Sequence, residues 1–284
     1  MTGSPTVHAP NLQIGKAEIT VVCQGWAPLP LAEECPGHDV SWDDQRALYP
    51  WAFAEQHAWR WHVHGSAVRT PSGLTMVDTG LGEALPYAPW APGEGVSAER
   101  AYAEAGVDPA EVTIVVLTHL HPDHSGGIGN PAGEPRFPNA RHVLHPDDWD
   151  FLHRSDLDGY SALARPAFDR LHSLGMLDLD PSDREVTLGL DVVHTPGHTP
   201  GHRSVILRSG GETVLLTGDL VHLPVQIAHP SWPSSHDEDP DEGARSRSAA
   251  IARAAEGSWA VVVPHFARPF GTVTEHGWNS RWSE

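Results

Sequence analysis

An α+β fold, with two mixed sheets packed face to face and helices on the outer faces, is predicted by three features of this sequence. Short apolar runs rich in Val, Ile and Leu recur along the chain, as at Val112–Leu117, Val214–Leu216 and Ala260–Val263. Segments with helical start and stop signals lie between them. The order runs strands, helix, strand, helices, strands, helix, strand, which suits an αββα sandwich. With 284 residues, 39% of them apolar, the chain can bury a sizeable core. No linker and no short-period repeat interrupts it, so one domain over residues 1–284 is expected.

Taken in order, Leu12 to Gly25 is rich in β-formers and reads as one or two strands with a turn near Gly15-Lys16. Residues 26–58, rich in Pro, Trp and acids, read as a long loop over the active-site face, with one helical turn near Asp43–Leu48. Residues 60–79 read as a hairpin turning at Pro71-Ser72-Gly73. A helix is expected over 97–105, capped by Ser97 and ended by Gly106. Val112–Leu117 is a continuous apolar run, as in a strand buried on both faces. Then follow a strand at Arg141–Leu144, a helix from Asp147 to His153 and another from Ala162 to Leu174. Strands are expected at Glu185–Val193, His202–Arg208 and Thr213–Leu216, the last entered through Gly210-Gly211. A short acidic loop from Ser234 to Glu242 leads into a helix within Asp239–Glu256, and Trp259–Val263 is a final buried strand.

Composition excludes several function classes. The formal net charge is −19, with 18 basic against 37 acidic residues, which argues against a partner with a phosphate backbone and against an anionic membrane surface. No apolar stretch is long enough for a transmembrane helix. Met1 to Pro10 carries neither a basic nor an apolar region, so no secretory signal is expected. The two cysteines, Cys23 and Cys35, read as ordinary thiols in a reducing cytoplasm. The expected partner is a small apolar molecule, and the oligomeric state is not legible.

Histidine occurs 20 times, which raises the prior on metal binding. The decisive stretch is Thr118-His119-Leu120-His121-Pro122-Asp123-His124, directly after the Val112–Leu117 run. It projects four possible imidazole and carboxylate ligands from one turn, the donor types zinc takes when thiolate is absent. Gly126-Gly127 then lets backbone approach closely. His198, within Thr195-Pro196-Gly197-His198-Thr199-Pro200-Gly201-His202, Asp219 within Thr217-Gly218-Asp219, and His265 after Pro264 each follow the end of an expected strand. A sheet scaffold presents site residues at such positions.

These four pieces, in this order from His119 to His265, resemble the metallo-β-lactamase superfamily, and Val77-Asp78-Thr79-Gly80 resembles that family's early Asp-bearing turn. The resemblance implies the αββα fold and a metal-dependent hydrolase. It assigns His119, His121 and His198 to one divalent ion, Asp123, His124 and His265 to a second, and Asp219 as the bridge. It implies two divalent ions, zinc first with iron or manganese as alternatives, and a bridging hydroxide as nucleophile that Asp123 could orient. Asp78 would hydrogen-bond a ligand histidine or merely end a strand. His202 would support the site or simply begin one.

Within the family, Asp219 and the absence of cysteine from the motifs set this chain apart from the zinc β-lactamases. His121 sets it apart from the flavo-diiron branch. The acidic charge does so from the nucleases, and the short stretch after His265 from the thioesterase branch with a helical C-terminal domain. Quorum-quenching lactonases often place tyrosine three residues after the bridging Asp, where this sequence has His222. Gly218-Asp219-Leu220-Val221-His222, with Gln226 and Pro230 beyond, looks more like the methyl parathion hydrolase-like branch. His222 would then be either a catalytic donor to substrate oxygen or a packing residue. The expected reaction is hydrolysis of an ester or lactone, with a phosphotriester, a thioester or natural-product substrate, or metal binding without catalysis as alternatives. Trp26, Trp42, Trp51, Trp59, Trp61, Trp90 and Trp232 fall in segments read as loop-like, and two or three of them are expected to face substrate. His62 and His64 share a strand face but have no third ligand nearby in the sequence, so they read as structural.

Overall fold

β1 (Asn11–Ile14) and β2 (Ala17–Pro30) pair antiparallel across a turn at Gly15, whose φ of 52° suits a residue without Cβ. These and the following elements come from a computed structural model of the chain, which describes residues 9–55, 57–82, 90–91, 94–274 and 277–281. Residues 1–8, which carry most of the segment read as lacking a secretory signal, lie outside the described residues. After β2 come α1 (Trp42–Leu48), β3 (Phe53–Glu55), the long β4 (Ala58–Thr70), β5 (Gly73–Val77), α2 (Ala98–Glu104), β6 (Val112–Val116), α3 (Pro122–Ser125), β7 (Arg141–Leu144), α4 (Pro146–Leu152), α5 (Arg165–Ser173) and β8 (Leu177–Leu179). Among the described residues these strands form one sheet in the order β1-β2-β4-β5-β6-β7-β8, with β3 on β4.

The second sheet is built from β9 (Arg184–Thr187), β10 (Leu190–His194), β11 (Arg203–Ser209), β12 (Glu212–Leu216), β13 (Ala260–Val262), β14 (Phe270–Thr274) and β15 (Gly277–Ser280), hydrogen-bonded in sequence order. Between β12 and β13 run α6 (Val225–Ala228) and α7 (Pro240–Glu256). Asp239 starts α7 by accepting the Glu242 N–H at 2.9 Å, and Pro240 sits in the first turn, where a missing N–H costs nothing.

Alternation along the strands creates the layers. Ile19, Val21, Val68, Val77 and Val116 of the first sheet interleave with Val192, Val205, Leu207, Val214 and Val262 of the second in one buried cluster. The opposite face of the first sheet packs Leu74, Met76 and Val115 against Tyr102, Phe151 and Phe168 of α2, α4 and α5. That of the second packs Ile206, Leu215 and Val261 against Ile251 and Ala254 of α7. The expected αββα sandwich is the fold observed. Among the described residues, no helix is long and apolar enough to cross a membrane.

Four expectations need correction. Residues 26–58 are not one loop: β2 runs on to Pro30, and β3 occupies Phe53–Glu55. β1 covers only Ala17–Thr20, so the outer edge of β2 beyond that point pairs with no described strand, and a proline there forfeits no ladder bond. Trp26, Trp59 and Trp61 accordingly lie on strands and Trp42 on a helix. Glu185–Val193 is not one strand but a hairpin, because Gly189 takes a φ of 79° and Leu188 is turned out to solvent, 74% exposed. A third donor atom does lie beside His62 and His64, that of Cys23, which is treated below. Both cysteines are free thiols.

Candidate metal centre

The seven residues expected to bind metal come from both sheets and meet at one end of the sandwich. His119 and His121 follow β6, and α3 presents Asp123 and His124 one turn later. His198 lies in the turn between β10 and β11, Asp219 just past β12, and His265 just past β13. Donor atoms of His119, His121 and His198 lie within 4.8 Å of one another, as do those of Asp123, His124, Asp219 and His265. The Arg203 N–H donates to the Thr118 carbonyl at 2.7 Å, which joins the two sheets at this rim.

The hydrogen bonds behind the donors fix which nitrogens face inward. The Thr118 hydroxyl donates to Asp78 Oδ2 at 2.8 Å, so it must accept from His119 Nδ1 at 3.0 Å, which leaves His119 Nε2 unprotonated. His124 Nδ1 donates to Asp78 Oδ2 at 2.8 Å, and His265 Nδ1 donates to the His62 carbonyl at 2.7 Å, so each Nε2 faces the centre. His198 Nδ1 faces Asp237 Oδ1 at 3.4 Å. Asp78 therefore holds His124, one of the seven converging residues, and it does so in a left-handed conformation, φ 58°. His202 supports the site too: its Nδ1 donates to the Thr195 carbonyl at 2.9 Å, and its Nε2 accepts the Asp219 N–H at 2.9 Å.

This donor set fits two divalent cations. His121 Nδ1 lies 3.1 Å from His119 Nε2 and 2.9 Å from His198 Nε2, so three ring nitrogens converge on one point. Ligands at about 2.0–2.1 Å from a tetrahedral ion stand about 3.3 Å apart, close to these spacings. His124 Nε2 and Asp219 Oδ1 are fully buried, 3.0 Å apart, and neither makes a hydrogen bond. Asp219 is central to both groups: Oδ2 is 3.4 Å from His198 Nε2 and 3.8 Å from His119 Nε2, and Oδ1 is 3.1 Å from His265 Nε2.

The electrostatics agree. Burial pushes His119 well below the usual imidazole range, His121 to about 4 and His198 to about 3, so these rings are neutral and ready to donate a lone pair. Burial opposes charge on His124 as well, but the Asp219, Asp123 and Asp78 carboxylates around it hold it well above the usual range. Against burial, His124, His265 and His222 hold Asp219 well below the ordinary carboxylate range. Ionised carboxylates in so dry a site call for positive charge, which cations supply.

The centre floors a cavity of about 650 Å³ lined by Leu29, Trp59, Trp61, Tyr160, His222 and His236 among others. Of the seven tryptophans singled out in the sequence, Trp59 and Trp61 line it. Trp42, Trp51 and Trp232 pack against the α7-side core, Trp26 stacks on His62, and the Trp90 ring lies over Gly95. His222 Nε2 lies 3.1 Å from Asp219 Oδ2, and the His222 N–H donates to Gln226 Oε1 at 2.8 Å.

Four residues escaped sequence reasoning. The Tyr160 hydroxyl donates to Asp123 Oδ1 at 2.9 Å, and burial followed by the Asp123 charge holds the phenol well above its usual range. Asp148 accepts the Leu120 N–H at 3.0 Å, the Thr199 hydroxyl at 3.0 Å and the Gly201 N–H at 2.7 Å, tying the two histidine-bearing turns together. Asp237 stands between His198 and the buried Arg247, and Glu34 lies 3.7 Å from His236. The only sequence signal for any of them was that Asp237 falls in the acidic loop 234–242.

Residues 59–265 match the family described as the metallo-beta-lactamase superfamily. The chain belongs to that superfamily. Among curated metallo-β-lactamase relatives, it is 37% identical over 107 residues to the N-acyl homoserine lactonase AttM of Azorhizobium caulinodans, a match over 36% of this chain and 38% of AttM. The chain spans between 38% and 44% of the length of the first AttM relatives it matches. Two solved structures share the fold throughout. AidC, a dizinc quorum-quenching lactonase, has a TM-score of 0.80 at 22% identity over 97% of both chains. The hydrolase AbOPH has a TM-score of 0.83 at 22% identity over 98% of both.

Proposed function

We propose that this chain hydrolyses the ring ester of a neutral lactone with an apolar tail, an N-acyl homoserine lactone or close analogue, using two divalent cations. The observation that carries the reading is the convergence of six donors around Asp219 on the floor of a cavity walled by Trp59 and Trp61. The cavity suits a small amphiphile, with polar groups at its floor and apolar rings at its wall. The lactonase relatives support the lactone over the open ester, phosphotriester and thioester alternatives.

We place His119, His121 and His198 on one cation, Asp123, His124 and His265 on the other, and Asp219 on both. Zinc is our choice, because imidazole and carboxylate in four-coordinate groups suit it. Bound there, the cations would acidify water and polarise the scissile carbonyl. The protein's own part is positioning. Tyr160 fixes Asp123 through Oδ1, which turns Oδ2 toward His124 and His265, where it would hold the second cation and orient the attacking water. His222, bonded to Asp219 Oδ2, acts by holding that carboxylate in place rather than by touching substrate. Trp59 and Trp61 seat the acyl tail. The acidic surface disfavours nucleic acid and anionic membranes as partners, and two free thiols support a reducing cytoplasm as the location.

The test is a panel of acyl-homoserine lactones, aryl esters, phosphotriesters and thioesters on metal-replete protein, with Asp219→Ala alongside. Lactones should have the highest kcat/KM, and Asp219→Ala should lose metal and activity together. Hydrolysis that survives in that variant would remove Asp219 from the centre, and a phosphotriester preference would replace the lactone reading.

A further inference from the structure

We propose that Cys23, His62 and His64 form a third cation site, distinct from the seven-donor centre, which takes a thiophilic ion such as Zn(II) or Cu(I). The antiparallel register of β2 and β4 sets Cys23 opposite His64, and a bulge between Cys23 and Gly25 brings Trp26 opposite His62. Alternation along β4 puts His62 and His64 on one face, with ring centroids 5.1 Å apart. One donor atom from each of the three residues lies within 4.8 Å of the other two.

The polar atoms are otherwise unexplained. Both ring nitrogens of His62 and Nδ1 of His64 are buried without a hydrogen-bond partner. A buried polar atom left unsatisfied is costly, and three in one cluster call for an occupant. Among the described residues, the Cys23 thiol makes only a 3.9 Å sulfur contact with the Gly25 carbonyl. His64 is 6% exposed, and Cys23 and His62 are half-buried. Trp26 stacks on His62 with centroids 6.2 Å apart, and Arg60 lies 4.9 Å from the Trp26 ring, closing the outer wall.

Chemistry selects the ion. One thiolate and two neutral imidazoles are a soft donor set that favours zinc or cuprous copper over magnesium or calcium. Burial pushes the thiol up to about 11, so it keeps its proton until an ion arrives. Binding then forms a sulfur–metal bond and releases that proton to solvent. No ligand is shared with the seven-donor centre. The two sites meet at the His62 carbonyl, which accepts from His265.

Cobalt(II) substitution tests the site, because the seven-donor centre contains no sulfur. Wild-type protein loaded with Co(II) should show near-ultraviolet thiolate-to-cobalt charge transfer and hold about one ion per chain more than Cys23→Ser. Cys23→Ser should lose that band while keeping the visible bands of cobalt at the His/Asp centre. Cys35→Ser should keep both, and His64→Ala should weaken the thiolate band. Absence of the thiolate band from wild-type protein whose visible bands are present overturns this site and leaves the seven-donor reading standing. Its loss in Cys35→Ser with retention in Cys23→Ser overturns the assignment to Cys23.

Discussion

Asp78 accepts both the N–H and the hydroxyl of Thr118, each at 2.8 Å. The same carboxylate accepts from His124, so one side chain at the end of β5 orients a histidine in each group of donors, His119 through Thr118 and His124 directly. Asp78→Asn preserves shape but replaces one acceptor oxygen with a donor. It should weaken metal binding about 10–100-fold, the usual effect of losing such a partner. Competition against a chromogenic chelator measures this, and an unchanged affinity would show that the tautomers are set elsewhere.

Asp148 joins the turn bearing His119 and His121 to the turn bearing His198. Asp148→Ala strands two buried N–H groups and a hydroxyl, a loss on the order of 3 kcal/mol. The denaturation midpoint of the chelated protein should fall accordingly, and affinity for the ion at His119, His121 and His198 should fall with it. A variant as stable as wild type would mean that the two turns are held in place without this carboxylate.

Tyr160 is 39% exposed, but its hydroxyl points inward to Asp123. Tyr160→Phe should lower kcat roughly tenfold, the equivalent of one hydrogen bond in the transition state, with metal content unchanged. If KM rises instead at constant kcat, the phenol binds substrate and does not position Asp123.

His142, buried on β7 and no part of the seven-donor centre, should make the fold acid-sensitive. Burial pushes it down to about 4, only partly offset by the Ala140 and Met176 carbonyls. An unfolded imidazole titrates near 6.5, so as pH falls below that value the unfolded chain takes up the proton first. Stability is therefore full above about pH 6.5 and declines toward pH 4, by on the order of 3 kcal/mol for this group. Urea unfolding of metal-free His142→Phe at pH 7 and pH 4.5 should show a correspondingly smaller drop than wild type. Identical drops would place the acid sensitivity on other buried histidines.

The seven converging residues were legible because each follows an apolar β-run, so local pattern and site geometry coincide. Their supports were not. Asp148 reaches Gly201 across 53 positions, Asp237 reaches His198 across 39, and Tyr160 reaches Asp123 across 37, and nothing local marks either end of such a pair. Cys23 and His64 become neighbours only through the register of β2 on β4. The last two strands were missed for a different reason: β14 and β15 are short and hold Gly271 and Gly277, so their alternation is weak. The Leu188-Gly189 turn was passed over because one glycine inside an apolar run reads as a bulge as easily as a reversal.

The first sheet and its following turns carry four of the seven donors, and the second carries the rest. A chain severed between β8 and β9 would therefore yield two fragments, neither able to chelate as the whole does. Metal ions held as proposed would act as a clasp across the seam and favour only the fully assembled molecule, by an amount that grows with their free concentration. Scarcity of metal in the cell should then show itself first as faster proteolytic turnover of this protein, before any change in its catalytic constants.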